Sequence, residues 1–170
     1  MIMAHFLGEK IVSLSQDSFS LNEKSSFGEK KNSRIEYAPI EALYLMQEKK
    51  MQLFSKAKPI SFESMLKKVK KTDTKIETKL SVFSDLRKKG YVLKTALKYG
   101  AEFRIYNKGE NPRTAHARWV LYTSREHDVL NWHDFTAKNR VAHSSKKNLL
   151  LAIVDDEGDI LYYEVSWIKI

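Results

Sequence analysis

Three side chains in the second half of the sequence combine residue types that could perform acid–base chemistry at a phosphate. Tyr106 closes the segment FRIY, His116 opens a predicted strand, and Lys147 precedes the apolar run NLLLAIV. Cleavage of RNA by its own 2′-hydroxyl needs a base, an acid and a cation near the phosphate, and these three residue types can supply those roles without a metal. Taken singly, each has an ordinary explanation: a half-buried strand tyrosine, a surface histidine and a solvated strand end.

The charge of the chain is distributed unevenly. The 170 residues carry a formal net charge of +9. Residues 86–149 hold 14 Lys and Arg against 5 Asp and Glu, which accounts for the whole excess, because the remainder holds 16 of each kind. A local excess of this size favours a polyanionic partner, although a charged surface that only maintains solubility is an equal alternative at this point.

The composition excludes several classes of protein. With 42% hydrophobic and 30% charged residues, the chain is a folded protein and not a disordered one. The absence of cysteine excludes disulfides, thiolate zinc sites and a cysteine nucleophile. No apolar run approaches the roughly 20 residues of a membrane helix, and the start MIMAHFLGEK lacks the pattern of a signal peptide. We therefore expect a cytoplasmic protein, and no spacing of His, Asp and Glu predicts a metal or another cofactor.

The signals for secondary structure change near residue 85. Residues 1–35 are predicted to form short antiparallel strands, and Pro39 opens the first of several helices. The last of these helices ends in Arg87-Lys88-Lys89 and Gly90, a typical helix terminus. Strands follow, with a helix around 129–142. We predict an α/β protein with an α+β N-terminal domain and a C-terminal α/β domain whose mixed central sheet is flanked by helices, at residues 1–85 and 86–170.

An acidic turn separates the last two predicted strands. The apolar run from Leu149 to Val154 has the length of a central strand, and Asp155-Asp156-Glu157-Gly158-Asp159 then predicts a hairpin into a second strand. On composition alone, this turn is a plain solvated hairpin. The final segment ILYYEVSWIKI is apolar and would be an exposed sheet edge unless another element covers it.

Several motifs in this order resemble one protein family. The segments GYVLKTALKYGAEFRIYNKG, AHARW and RVAHSSKKNLLLAIVDDEGDILYY are similar to those of the archaeal tRNA-intron (tRNA-splicing) endonucleases, and EALYLMQEKK, KPISFESML and SVFSDLRKKGY resemble the first domain of that family. The resemblance is good from Ile40 to Ile170 and loose before it. It implies a small N-terminal domain, a nuclease-like C-terminal domain, and excision of introns from precursor tRNA at a bulge-helix-bulge. The implied products carry a 2′,3′-cyclic phosphate and a 5′-hydroxyl.

The resemblance also implies roles for individual residues. Tyr106, His116 and Lys147 match the catalytic tyrosine, histidine and lysine of the family. Arg140 matches an arginine that stacks on a bulged base, and Trp132 is a plausible aromatic companion. Where the family usually has KTGLKYG, this chain has alanine at position 96, which leaves the local geometry open. The acidic turn resembles a loop that docks on a neighbouring subunit through Asp155, Asp156 and Asp159.

Three other functions remain as alternatives. A structural subunit of the same endonuclease would lack chemistry, and retention of all three catalytic positions argues against it. A metal-dependent nuclease would need carboxylates clustered near Lys147, whereas the acids of 155–159 lie at the other end of the predicted strand. The third alternative is an RNA-binding module without activity. The expected partners are precursor tRNA and other endonuclease subunits, in a homotetramer or in a heterotetramer with a structural subunit.

Overall fold

The computed structural model describes residues 1–97 and 100–170, which form two compact units, Met1–Leu80 and Ser81–Ile170. Within these residues, no helix is both long enough and apolar enough to cross a membrane.

The N-terminal unit is built around a six-stranded mixed sheet. Its strand order is β3-β4-β2-β1-β5-β6, in which β1 and β5 run parallel and the other neighbours run antiparallel. The elements are β1 (Ile2–Leu7), β2 (Lys10–Ser13), α1 (Gln16–Ser25), β3 (Glu29–Lys31), β4 (Arg34–Tyr37), α2 (Pro39–Gln47), β5 (Met51–Ser55), β6 (Lys58–Ile60), α3 (Phe62–Lys70) and α4 (Ile76–Lys88), the last of which continues beyond Leu80.

Helix α1 corrects the prediction for the first 35 residues, which contained strands only. The buried face of this helix carries Ser18 and Asn22 instead of apolar residues, so the sequence shows little helical periodicity. The Asn22 amide donates hydrogen bonds to the carbonyl oxygens of Phe27 and Gly28, at 2.8 and 2.9 Å, and these bonds hold the turn that follows the helix. A polar buried face is stable here because its groups have partners.

The C-terminal unit contains a five-stranded mixed sheet, which confirms the predicted α/β class. The strand order is β11-β10-β9-β8-β7; β9 and β10 run parallel, and the other pairs run antiparallel. The elements of this unit after α4 are β7 (Val92–Thr95), β8 (Phe103–Tyr106), β9 (Trp119–Arg125), α5 (Trp132–Ser144), β10 (Asn148–Val154) and β11 (Ile160–Val165).

The sheet of the C-terminal unit is covered by a helix on each face. On one face, Val120, Tyr122 and Leu149 form a buried cluster with Ala142 of α5. On the other face, Phe103 packs against Phe83 of α4, with 5.6 Å between the ring centroids. Successive strand residues point to opposite faces, so the alternation of FRIY fixes which of its side chains meets each helix.

Gly90 ends α4 and turns the chain into β7, as its position in the sequence predicts. Its φ of +93° lies in the left-handed region that favours glycine. The Tyr91 N–H donates to the carbonyl oxygen of Leu86 at 3.0 Å, and the Gly90 N–H donates to that of Arg87 at 3.1 Å. These bonds satisfy the last carbonyl groups of the helix. The first strand of the sheet therefore starts at a fixed angle to α4.

A polar contact joins α4 to the edge strand β11. The Tyr162 hydroxyl donates to the Asp85 carboxylate at 2.6 Å, and Lys89 pairs with the same carboxylate at 2.7 Å. Burial of the phenol, together with the hydrogen bond to Asp85, raises the pKa of Tyr162 above its ordinary value. The contact holds the last strand against the helix that begins the unit.

We expect Tyr162→Phe to lower the free energy of unfolding by about 1–2 kcal/mol, because it removes a hydrogen bond to a charged acceptor and leaves the ring in place. Urea denaturation would measure the change. Tyr163→Phe is the matched control, since this neighbouring side chain is 53% exposed and should change the free energy by less than about 0.5 kcal/mol. Equal effects of the two substitutions would contradict a specific role for the Tyr162–Asp85 contact.

Candidate functional site

The hydrogen-bond register brings the ends of three strands together at one side of the C-terminal sheet. This sheet edge, where β8 ends and β9 and β10 begin, is not the edge strand β11. Ile105 of β8 and Asn148 of β10 both pair with Trp119, the first residue of β9. One residue further out, the Arg118 N–H donates to the carbonyl oxygen of Ile105 at 2.9 Å, and the Asn148 N–H donates to the carbonyl oxygen of Arg118 at 3.0 Å. When this register is continued by one residue beyond Trp119, Tyr106 lies opposite Arg118 on one side and Lys147 lies opposite it on the other.

The three residues expected to carry chemistry therefore lie on neighbouring chain segments at the same sheet edge. Tyr106 ends β8, His116 lies two residues before Arg118 in the loop that enters β9, and Lys147 immediately precedes β10. Residues directly opposite each other on adjacent strands point to the same face of a sheet. Tyr106 and Lys147 thus share a face, and the sequence alone could not fix this pairing.

The environments of the three side chains differ. Tyr106 is only 3% exposed and lies in a buried cluster with Val92 and Ala117. His116 is exposed in its loop. Lys147 is half-buried, and its ammonium group donates to the carbonyl oxygen of Ser145 at 2.8 Å. The edge therefore combines a buried phenol, an accessible imidazole and a cation. The cation lies at the C-terminal end of a helix, where positive charge is favoured.

A tight turn between α5 and β10 positions Lys147. Lys146 has a φ of +55°, which is uncommon for a residue with a side chain. The Lys146 and Lys147 N–H groups donate to the carbonyl oxygens of His143 and Ala142, both at 2.9 Å. This is the hydrogen-bond pattern that ends a helix through a left-handed residue. Non-glycine residues held in this region are enriched at functional sites, where the surrounding structure imposes them.

A pocket of about 460 Å³ opens on the exposed side of α5. The His143 and Trp167 rings meet edge to face there, with 4.3 Å between their centroids and an angle of 71° between their planes. Trp167 is 56% exposed, so much of its ring is accessible. The pocket combines an indole, an imidazole and a guanidinium, and it is lined by Thr136, Asn139, Arg140, His143, Ser144 and Trp167.

The aromatic residue beside Arg140 is Trp167 and not Trp132. Trp132 starts α5, eight residues before Arg140, which corresponds to about 12 Å along the helix axis. Its ring is 81% exposed and contacts Phe135. Sequence analysis missed Trp167 because it follows the last strand, 27 residues after Arg140, where no local pattern connects the two.

The acidic hairpin lies at the opposite end of β10 from Lys147. The seven residues of β10 separate Lys147 from Asp155, a distance of roughly 25 Å along the strand. Backbone and side-chain bonds between Asp155 and Asp159 close the turn, at 3.1 and 2.8 Å, and Asp156 is exposed beside His127. In the parts of the chain described, no group of three His, Asp or Glu side chains is placed to hold a metal ion.

Glu164 is a second residue that sequence analysis missed. Its carboxylate accepts hydrogen bonds from the Trp119 indole N–H at 2.5 Å and from the Asn148 side-chain amide at 2.8 Å. The bonds join β11 to the first residues of β9 and β10, where the register brings the site together. No sequence signal reveals this contact, because Glu164 lies 45 residues from Trp119.

Comparisons with known proteins agree for both units. Residues 2–66 match the family model "tRNA intron endonuclease, N-terminal domain", and residues 76–162 match "tRNA intron endonuclease, catalytic C-terminal domain". The chain is similar to the tRNA-splicing endonuclease of Pyrococcus horikoshii, with 36% identity over 95% of this chain and 94% of that protein. For the tRNA-splicing endonuclease of Methanothermobacter thermautotrophicus the identity is 37% over 96% of each chain, and for that of Nanoarchaeum equitans it is 40% over 76% of this chain and 87% of the other.

Proposed function

Because the chain belongs to the tRNA intron endonuclease family, we propose that it is a catalytic subunit of a tRNA-splicing endonuclease. It cleaves precursor tRNA at the bulge-helix-bulge, without a metal, and leaves a 2′,3′-cyclic phosphate and a 5′-hydroxyl. The observation that carries the proposal is the register of β8, β9 and β10, which sets Tyr106 and Lys147 at one sheet edge beside the loop of His116. A purely structural subunit would have no need for all three residues.

The reaction requires two proton transfers and stabilisation of charge. The 2′-oxygen attacks the phosphorus in line, loses its proton, and forms the cyclic phosphate as the bond to the 5′-oxygen breaks. The departing 5′-oxygen takes up a proton and becomes the 5′-hydroxyl. Lys147 stabilises the additional negative charge that develops on the phosphate oxygens, as a fixed cation at a developing charge does.

We assign the role of general acid to His116. Tyr106 is assigned as the base or as the group that orients the 2′-hydroxyl. An imidazole can hold and release a proton near neutrality, and His116 is exposed to an incoming substrate. The ordinary pKa of a phenol is near 10, so Tyr106 acts as base only if nearby cations favour the phenolate, and otherwise orients the 2′-hydroxyl. Removal of a general acid typically lowers a rate by about 10²–10⁴-fold.

The purified chain is expected to cleave a bulge-helix-bulge RNA equally well with and without excess EDTA. The measurement is the initial rate by gel electrophoresis, with the ends identified by treatment with phosphatase and kinase. A metal nuclease would lose its activity in EDTA and leave different ends. That result would contradict the proposal. A chain that is inactive alone, as either member of a heterotetramer would be, is combined with its partner subunit, and Lys147→Ala must then abolish cleavage. A structural subunit would tolerate this substitution, and that outcome would also contradict the proposal.

The assignment of the acid predicts a selective chemical rescue. A substrate with sulfur in place of the bridging 5′-oxygen has a leaving group that needs no proton. We expect His116→Ala to be about 10²–10⁴-fold slow on normal RNA and close to wild type on the sulfur substrate. Lys147→Ala is the control and should be slow on both, because the charge on the phosphate develops in either case. Absence of rescue in His116→Ala would give His116 another role.

We also assign the pocket on α5 to an unpaired base of the substrate. Arg140 and Trp167 line the same opening, and both a guanidinium and an indole offer flat faces on which a base can stack. This assignment replaces Trp132 as the aromatic companion of Arg140, since Trp132 is absent from the lining of this pocket.

Stacking predicts that Arg140→Ala and Trp167→Ala each weaken binding of bulged RNA by about 1–3 kcal/mol and have little effect on fully paired RNA. Fluorescence anisotropy with a 2′-deoxy substitution at the cleavage position would measure binding without cleavage. Trp132→Ala removes an exposed indole from the same helix and should leave both affinities unchanged. A loss in Trp132→Ala similar to that in Trp167→Ala would restore Trp132 to the site.

The acidic hairpin is assigned to subunit assembly, in a homotetramer or in a heterotetramer with a structural subunit. We expect replacement of Asp155, Asp156 and Asp159 by Asn to lower both the mass in solution and the cleavage rate, because the charges that attract a basic neighbour are lost. Light scattering and the cleavage assay measure the two effects. The control replaces three exposed acids of the N-terminal unit, Glu9, Glu23 and Glu63, by Gln. A hairpin variant of full mass would remove the docking role.

A further inference from the structure

Asn139 is an interior residue of α5, and nothing in the helix accounts for its side chain. It lies seven residues after the start of α5 and five before its end, so it caps neither terminus. Among residues 1–97 and 100–170, no group is hydrogen-bonded to its amide. Asparagine is a poor residue for a helix interior, because its amide competes for backbone groups. The fold therefore gives no reason for an asparagine at this position.

The pocket on α5 gives Asn139 a different setting. Its half-buried side chain is part of the lining, and it directly precedes Arg140 in the chain. It also lies four residues before His143, whose ring meets that of Trp167. Residues four apart on a helix are neighbours, with about 5–6 Å between their Cβ atoms. The Asn139 amide is therefore next to both of the flat side chains that we assign to an unpaired base.

The other polar side chains of the lining offer less to the edge of a base. The Thr136 and Ser144 hydroxyls donate to carbonyl oxygens of α5 itself, at 3.0 and 3.1 Å, so each can offer a ligand an acceptor but no hydrogen. The two nitrogens of His143 point away from each other and cannot both face one base. Asn139 keeps a donor and an acceptor side by side in one plane.

A carboxamide of this kind is complementary to the pairing edge of a base. Each RNA base presents a donor and an acceptor next to each other on its Watson–Crick edge, such as the amino group and N1 of adenine or the N3–H and a carbonyl oxygen of uracil. An amide can turn over to match either order. In a duplex this edge is occupied by the partner base, whereas in bulges it is open to protein groups. An amide beside a stacking surface thus detects whether a base is unpaired.

We propose that Asn139 forms two hydrogen bonds with the Watson–Crick edge of the base that Arg140 and Trp167 hold, and so makes the pocket selective for an unpaired base of any identity. This role rests on the proposed function, in which the pocket receives a base of the substrate. The two flat side chains respond to the face of the base, and the amide responds to the state of its pairing edge.

The test compares two bases of the same shape at each unpaired position of a bulge-helix-bulge RNA, made uncleavable by 2′-deoxy substitution at the cleavage positions. One base is uracil. The other is a difluorotolyl ring, which has the shape of uracil and stacks, but has no strong hydrogen-bonding group. We expect the wild-type chain to bind the uracil RNA about tenfold more tightly at one of these positions, because two hydrogen bonds are lost with the ring. Fluorescence anisotropy measures both affinities.

Asn139→Leu removes the amide and is expected to bind the two RNAs equally. The variant should fold, since leucine favours helices more than asparagine does, and circular dichroism checks this. His133→Ala is the matched control, because His133 is an exposed polar residue of the same helix outside the pocket lining. We expect this variant to retain the tenfold preference for uracil.

Two results would overturn the proposal. One is a wild-type chain that binds uracil and the difluorotolyl ring equally at every unpaired position, a measurement that needs no variant. The other is an Asn139→Leu variant that keeps the preference. With each of the four natural bases at the preferred position, Asn139→Leu should weaken binding by a similar factor, and a loss confined to one base would show selection by identity and overturn the claim for any base.

Failure of this inference differs from failure of the function on which it rests. If Arg140→Ala and Trp167→Ala bind bulged RNA as the wild-type chain does, the pocket does not receive a base and its assignment fails. If both weaken binding while Asn139→Leu keeps the preference for uracil, the stacking role stands and the role of Asn139 alone is wrong. Cleavage of the natural RNA by the wild-type chain, measured separately, reports on the proposed function itself.

Discussion

The parallel pairing of β9 with β10 is the constraint on which the candidate site depends. Two parallel neighbours start at the same edge of a sheet, so the chain must cross over between them, and α5 makes that crossing. The antiparallel strand β8 then brings its last residue to the edge where β9 and β10 begin. Residues from three distant segments meet there because of the direction of the strands, and the same geometry sends the acidic hairpin to the far edge.

The chemistry proposed for this edge depends on contacts that supply no acid or base. Glu164 joins the beginnings of β9 and β10 through Trp119 and Asn148, and the left-handed turn at Lys146 sets the angle at which Lys147 leaves α5. Each contact restricts a backbone segment next to one of the residues to which we assign the reaction. Placement of this kind matters because catalytic groups lose much of their effect when they are displaced by as little as about 1 Å.

Much of the fold follows from local sequence. The alternation of FRIY identifies β8 with the limits Phe103 and Tyr106, and Gly90 ends α4 where its backbone conformation requires. The prediction for β9 was less accurate, since the strand starts at Trp119 and not at His116; the residues before it form the loop that carries the histidine. Ala96, where the resemblance led us to expect glycine, is buried beside Ala101 and is not among the residues with positive φ, so alanine fits its backbone.

The remaining features depend on contacts between distant residues. Helix α1 was missed because its buried side is polar and hydrogen-bonded, so hydrophobic periodicity did not reveal it. Glu164 belongs to the last strand and Trp167 follows it. Both reach the site only once the sheet has formed, so no local spacing identifies them. Strand register has the same origin, because it is set by pairing across the sheet and not by the composition of one strand.

The most direct test of the account is a crystal structure of the chain with a bulge-helix-bulge RNA that carries 2′-deoxy nucleotides at the cleavage positions. We expect the scissile phosphate to lie at the sheet edge where β8 ends and β9 and β10 begin, within hydrogen-bond distance of His116 and Lys147, with Tyr106 next to the position of the 2′-oxygen. A scissile phosphate bound elsewhere, or at this edge with Lys147 still on the carbonyl oxygen of Ser145 and out of reach, would contradict it.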